Sequence, residues 1–423
     1  MNKFIALLAL VLVYATAMTA WAEVLTEDEK NMPIAERTRI RLLIEDLANH
    51  RDAQIQAEKA LIEIGDNAIP MLLRYLKSTN EDIRGNVAKV LGKLGVREAI
   101  EPIAKLLKDP SYAVRYKAVD ALGQLAHADA DAAIMDVSDA LKTIVGDPDQ
   151  EVRALAIEIL MGLNVADMWE DFLNYLGDSY WKVRADAAKA LGGISAGADL
   201  EQQKAICRAL EPLLNDKDWQ AARSAANAIG FYLALSDMYL VPETDEEGKF
   251  KGFKVSPNRD TAYNVIDTLI GLLGHERPEV QAAAAYALGK VWVTKAPEKW
   301  EPIVKSLIAA LDDKSAEVRL AAAASLGRVG NEEAVGALIA HLDETTPMVL
   351  NVIVESLQKR TLKNFGFQPY DIIDESPEEP IDTIDKYNDA KAILEEKRQE
   401  ALENWRQWWE SNKDSFKINP VLN

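Results

Sequence analysis

The stretch that decides the fold is residues 317–329, EVRLAAAASLGRV. It recurs as DIRGNVAKVLGKL (82–94), AVRYKAVDALGQL (113–125), EVRALAIEILMGL (151–163), KVRADAAKALGGI (182–194) and EVQAAAAYALGKV (279–291). The shared pattern is V-R-x-x-A-x-x-x-L-G. Its last position falls at Gly92, Gly123, Met161, Gly192, Gly230, Gly289, Gly327 and Gln358, in steps of 31, 38, 31, 38, 59, 38 and 31 residues. A step of this size, repeated, marks an array of small supersecondary units. The long step holds an insertion, residues 236–258.

Each unit carries two helical patterns. The first is shorter, as in AIEPIAKLLK at 99–108, with apolar residues at helical spacing. A polar turn follows, and then the Ala-rich segment, whose small side chains allow close packing. The Gly after Leu is expected near the helix end, where glycine commonly stops a helix. No segment shows sustained β alternation. One helix pair cannot bury its apolar faces alone, so the pairs must stack. The expected fold is all-α, a right-handed α-solenoid of about nine helix pairs, at 34–65, 67–95, 97–126, 129–164, 167–195, 199–233, 260–294, 298–330 and 332–361. Repeats one to six fill 34–235 and repeats seven to nine fill 259–361, with 23–33 as a lead-in.

This pattern resembles HEAT repeats, specifically the short kind named after phycobilisome lyases, over roughly residues 34–361. An Asp precedes an Arg by six residues at Asp109/Arg115, Asp147/Arg153, Asp178/Arg184 and Asp313/Arg319. Arg84 has Ser78 at the matching place, Gln281 has His275, and Ala222 has Asp216. A row of five arginines reads on its face as an anion-binding row. The resemblance implies instead a structural ladder, because similar Asp and Arg positions in HEAT repeats hydrogen-bond between neighbours. Arg suits that task through its planar fork.

The 423 residues include 48 basic and 68 acidic ones, a net charge of −20, and 48% are hydrophobic. This composition supports a packed core and argues against a phosphate-backbone binder, so no nucleic acid is expected. A single cysteine, Cys207, and four histidines exclude a disulfide scaffold and make a dedicated metal site an unneeded assumption. Lys3, an apolar run and Ala20-Trp21-Ala22 form the pattern of a secretory signal peptide over 1–22. No other stretch is apolar enough to span a membrane. The expected location is the periplasm or the cell surface, and Cys207 is expected to be buried and inert.

No nucleophile elbow, zinc-binding or phosphate-loop motif is present. The one His-Glu pair, His275-Glu276, falls short of the several pairs of a HEAT-repeat di-iron hydroxylase. Bilin lyases act on cytosolic pigment proteins, which an export signal argues against. Asp147, Asp149 and Glu151 lack the Gly and distal Glu of a calcium loop and read as the acidic start of a helix. No enzyme activity and no cofactor are expected.

Three features are candidates for binding. Tyr112, Trp181 and Trp219 stand three residues past the turn Asp, with Tyr180 beside Trp181 and Gln150 interrupting the row. They are either a binding ridge or covers for their own turns. The insertion carries Pro242, Gly248, Gly252 and Pro257, and suggests a short hairpin with Phe250 and Phe253 on one side. After an acidic linker at 362–386, the segment 387–423 holds a helix with Trp405, Trp408 and Trp409 on one face. The Phe-Gly-Phe before it and this W-x-x-W-W helix resemble the closing segment of secreted bacterial HEAT-repeat proteins, which implies a C-terminal cap. The expected function is a non-enzymatic, exported scaffold for a protein or peptide partner, with a basic partner favoured by the net charge. The alternative is a glycan- or chromophore-binding protein, or a ligand-processing enzyme, on the same frame.

Overall fold

The computed structural model describes residues 30–128, 133–163, 168–195, 197–235, 240–244, 250–255, 259–291, 297–367 and 384–418. Residues 1–22, where a signal peptide is expected, and linker residues 368–383 lie outside the described residues. The chain divides into two compact units, Met1–Val165 and Ala166–Asn423.

The first unit stacks four helix pairs: α1 (Ile34–Asp46) with α2 (Arg51–Ile64), α3 (Ile69–Tyr75) with α4 (Glu81–Leu94), α5 (Ile100–Lys105) with α6 (Tyr112–Ala128), and α7 (Ala133–Lys142) with α8 (Gln150–Gly162). The second unit stacks five: α9 (Trp169–Tyr175) with α10 (Trp181–Ile194), α11 (Leu200–Leu210) with α12 (Trp219–Leu235), α13 (Arg259–Leu272) with α14 (Pro278–Leu288), α15 (Pro297–Ala309) with α16 (Ala316–Val329), and α17 (Glu332–Ala340) with α18 (Pro347–Thr361). A last helix, α19 (Ile384–Asn412), lies against α17. The fold is an α-solenoid of stacked pairs, as the repeat pattern implies. The second helix of each pair packs on the second helix of the next: α4 on α6 and α6 on α8 in the first unit, and α10 through α18 in turn in the second.

Local chemistry explains the helix starts. The Asn80 side chain accepts the N–H groups of Asp82 and Ile83, and Asp149 accepts those of Glu151 and Val152. Asp199 and Gln202 form a reciprocal capping box on α11. Such caps satisfy donors that have no partner within the helix. Asp149 therefore opens a helix, as expected of the 147–151 cluster. The core is the contact layer between helices: Leu91, Ile103 and Leu122 in the first unit, and Phe172, Leu191, Leu288 and Leu326 in the second, are all fully buried. Each such side chain contributes roughly 1.5–3 kcal/mol on burial. Cys207 is buried on α11, and burial pushes its thiol up to about 12, which keeps it protonated.

The repeat Gly lies near the helix end, as expected, but it has a second reason to be there. Gly289 is the C-cap of α14, whereas at Gly92, Gly192 and Gly327 the helix runs on for two residues and at Gly230 for five. The repeat Gly is there because neighbouring second helices approach too closely for a side chain. A Cβ at Gly92 would stand 2.9 Å from the Ala121 Cα, and one at Gly327 would stand 3.0 Å from the Ser356 Cα. The stop of α4 is Gly95 instead, in the left-handed region at φ 70°.

The insertion forms the hairpin that its turn residues suggest. Strand β1 (Leu240–Thr244) pairs antiparallel with β2 (Phe250–Val255). Phe253 stands opposite Pro242 and Phe250 opposite Thr244, because the register shifts by one residue between Glu243 and Thr244. Two positions of opposite parity on β2 thus face positions of the same parity on β1. The side chains of the hairpin lie outside the described residues.

Candidate interaction surface

The turn acids and arginines form a ladder, offset by one repeat from the pairing within each sequence unit. Arg84 donates from Nε and Nη2 to both carboxylate oxygens of Asp109, at 2.7 and 2.9 Å. Arg115 grips Asp147 in the same way, at 2.7 and 2.9 Å. In the second unit Arg184 grips Asp216 at 2.7 and 2.6 Å and adds Asp218. Arg319 grips Glu344 at 2.7 and 2.9 Å and adds the Thr346 hydroxyl. The Nη1 of each arginine turns back to the carbonyls six and five residues before it: Ser78 and Thr79 for Arg84, Asp109 and Pro110 for Arg115, Asp147 and Pro148 for Arg153, Asp178 and Ser179 for Arg184, and Asp313 and Lys314 for Arg319. So the Asp six residues upstream offers its own arginine a backbone carbonyl. Its carboxylate accepts the N–H two residues on, as Asp109 does from Ser111, Asp178 from Tyr180 and Asp313 from Ser315.

Electrostatics follow from that geometry. Burial works to raise the Asp109 carboxyl, but the Arg84 fork and the Ser111 N–H outweigh it and hold the group below the usual carboxylate range. The same balance, with Arg184, lowers Asp216. At Glu344 the Arg319 hydrogen bonds dominate over burial and bring the carboxyl down to about 2. These groups are consumed by the frame, so the arginines do not form an open anion row. Three ladder members escape a search for Asp six before Arg: Arg84, Asp216 and Glu344. The separations from arginine to acid, 25 or 32 residues, are the signal that finds them.

The aromatic set is only partly available. Tyr112 opens α6 and is 61% exposed. Tyr180 and Trp181 touch at α10, with ring centroids 5.8 Å apart. Trp219 opens α12 between two guanidinium groups, Arg277 at 4.6 Å and Arg223 at 5.3 Å from its ring centroid. That ring is engaged by an arginine of its own helix and one of the next repeat. Three exposed aromatics among the described residues fell outside the expected set: Tyr116 on α6 at 41%, Phe231 on α12 at 60% and Tyr286 on α14 at 39%. Phe231 follows the repeat Gly and Tyr286 precedes it by three, which is the signal that the repeat alignment carries.

The histidines have local tasks. His275 takes the place of a turn Asp, its Nδ1 accepting the Arg277 N–H at 3.0 Å. His341 sits between the Ala337 carbonyl and Asp312. Among the described residues, no three His, Cys, Asp or Glu side chains are grouped to hold a metal ion, and no helix is long and apolar enough to cross a membrane.

The C-terminal tryptophans close the stack. Trp405 is fully buried, with Phe365 edge-on at 4.8 Å and Trp408 at 5.8 Å. Trp408 meets Phe416 at 5.4 Å, and Trp409 lies over Gly336 of α17, where a Cβ would stand 3.0 Å from its ring. Gly366, at φ 76°, turns the chain between Phe365 and the buried Phe367.

Family models described as HEAT repeats match residues 40–107, 69–143 and 137–230, and a model described as HEAT repeat matches 303–331. The chain contains HEAT repeats. No curated protein matches it in sequence. Among solved structures, an engineered protein is similar at 22% identity, covering 87% of this chain and 98% of that one, with a TM-score of 0.47. YibA of Escherichia coli is similar at 18% identity, covering 72% and 96%, with a TM-score of 0.47.

Proposed function

We propose that this HEAT-repeat protein is an exported, non-enzymatic scaffold that binds a protein or peptide partner along the layer of second helices. One observation carries the proposal: the two classes of side chain are divided. The arginines and turn acids that chemistry would need are paired between repeats, whereas large rings stand exposed on the second helices. Exposed rings on a rigid frame are the usual anchors of protein recognition. Export is supported by the signal-peptide pattern of residues 1–22.

The test is affinity capture from envelope extract, followed by reconstitution with the purified captured protein. Phe231→Ala/Tyr286→Ala is compared with Trp181→Ala/Trp219→Ala and wild type. Direct binding by wild type and loss in the first variant, with both variants folded, supports the scaffold. Turnover of a small molecule that survives every surface variant, with no reconstituted partner, sinks it. Export is checked separately by fractionation of cells expressing the chain with and without residues 1–22.

A further inference from the structure

The −20 total favours a basic partner, but the second unit carries a local exception. The chain approaches itself closely at Gly230, where a Cβ would stand 3.2 Å from the Ala287 Cα, and at Gly289, where one would stand 2.8 Å from the Ser325 Cα. These approaches bring Tyr286 and Lys290 near Arg328 across α14 and α16, and Phe231 holds the place equivalent to Lys290 on α12, its ring turned toward Gly192 of α10. Phe231 follows Gly230, Tyr286 precedes Ala287, Lys290 follows Gly289, and Arg328 lies one turn past Ser325. Phe231, Tyr286 and Arg328 are exposed, and Lys290 is partly so. Burial and the nearby Arg328 charge both lower Lys290 from its ordinary value. The Tyr286 hydroxyl sits in the fields of Glu317 and Arg328.

Among the described residues neither cation has a carboxylate partner. At the equivalent place in the next repeat, Lys359 has one, Glu355 at 3.8 Å. Two like charges held together beside exposed rings, in a chain with a large acidic excess, are an arrangement that a bound anion would relieve.

We propose that Phe231, Tyr286, Lys290 and Arg328 form the docking site for an acidic segment of a partner protein, with an aromatic or apolar side chain seated on the rings. This assignment rests on the scaffold reading and names the chemistry of its partner. Charge complementarity selects the occupant. The overall charge repels polyanions, so binding of one needs a local cationic patch such as this one.

The probe is a fluorescein-labelled glutamate–tyrosine copolymer, with a lysine–tyrosine copolymer of equal length as its opposite, read by anisotropy on the purified full chain. The glutamate–tyrosine copolymer is expected to bind, and to weaken at least tenfold in Lys290→Glu/Arg328→Glu. A smaller loss is expected in Lys290→Gln/Arg328→Gln and in Phe231→Ala, all with unchanged circular dichroism. Lys105→Glu, at an exposed site in the first unit, should leave binding unchanged. Absent binding, or binding indifferent to these four residues, overturns the assignment. Binding that emerges only after Asp374→Asn/Glu375→Gln/Glu378→Gln/Glu379→Gln also overturns it, by naming the chain's own acidic linker as occupant. Loss of this assignment leaves the scaffold standing if capture still yields a direct partner; loss of the scaffold is read in the capture experiment.

Discussion

Two junctions of the second unit join the same kind of helix by different means. Between α16 and α18, Arg319 forks onto Glu344, and the Ser356 hydroxyl reaches the Ala323 carbonyl under Gly327. Between α12 and α14 the arginine place holds Ala222 and the next turn's acid place holds His275. There Gly230 packs on Ala287, and Trp219 is clasped by Arg277 from across the hairpin insertion. Close packing of small residues is common to both junctions; the fork is not. The small residues therefore make the stack, and the forks add to its strength and fix its register.

The largest effect expected from this contrast is at Arg319. Arg319→Ala strips a side chain whose partner Glu344 is only 9% exposed. Breaking one half of such a pair should cost about 3 kcal/mol, most of it from the stranded carboxylate. Gln281→Ala, at the arginine place of α14, removes one bond to the Leu273 carbonyl and should cost about 1 kcal/mol or less. Guanidinium midpoints of the two variants, at equal slope, measure the difference. Equal losses would mean that the forks add nothing.

The next effect tests the shared element. In Gly327→Ala the new Cβ would stand 2.7 Å from the Ser356 Cβ as well as 3.0 Å from its Cα. The backbone must move apart, at a cost of about 1–3 kcal/mol. A thermal melt that does not shift down would show that the close approach is slack. A pH-dependent loss follows from Glu344. Its folded carboxyl lies at about 2, against an unfolded value near ~4.3, so its contribution is present above the unfolded value and fades as pH falls toward 2. Asp109 and Asp216 are shifted in the same direction. Stability measured from pH 6 down to 2 should fall less steeply in Arg319→Gln than in wild type.

How much of this was legible follows the period of the repeat. The helix pairs and the Trp-rich helix could be read because apolar spacing and the V-R-x-x-A-x-x-x-L-G pattern are local. The forks were expected between neighbouring repeats and are found there; which acid each arginine takes, 25 or 32 residues on, could not be read from the six-residue spacing, because the arginine meets that Asp only through its carbonyl. The packing role of the repeat Gly could not be read because its neighbour, such as Ala121 for Gly92, lies a whole repeat away. The role of Trp219 was left open because its clasping Arg277 comes after the insertion. Phe231 and Tyr286 hid among alanines, where only the alignment of repeats separates exposed positions from packed ones.

The smallest effect is also the sharpest test of the offset. Arg115 meets Asp147 and Arg184 meets Asp216 at a separation of 32 residues. Gln281 and Asp313 have that separation, and the Asp313 carboxylate already accepts the Ser315 N–H as the other turn acids accept theirs. Gln281→Arg should therefore build the missing rung, its fork on Asp313 and its Nη1 on the carbonyls of the turn before it. A new charge-assisted pair in this half-buried setting should add about 0.5–1 kcal/mol. The gain must vanish when Asp313→Asn is combined with it, because only the carboxylate supplies the acceptor pair. A gain that survives Asp313→Asn would come from helix propensity alone, and the offset of one repeat would then describe the existing forks without being a rule for placing a new one.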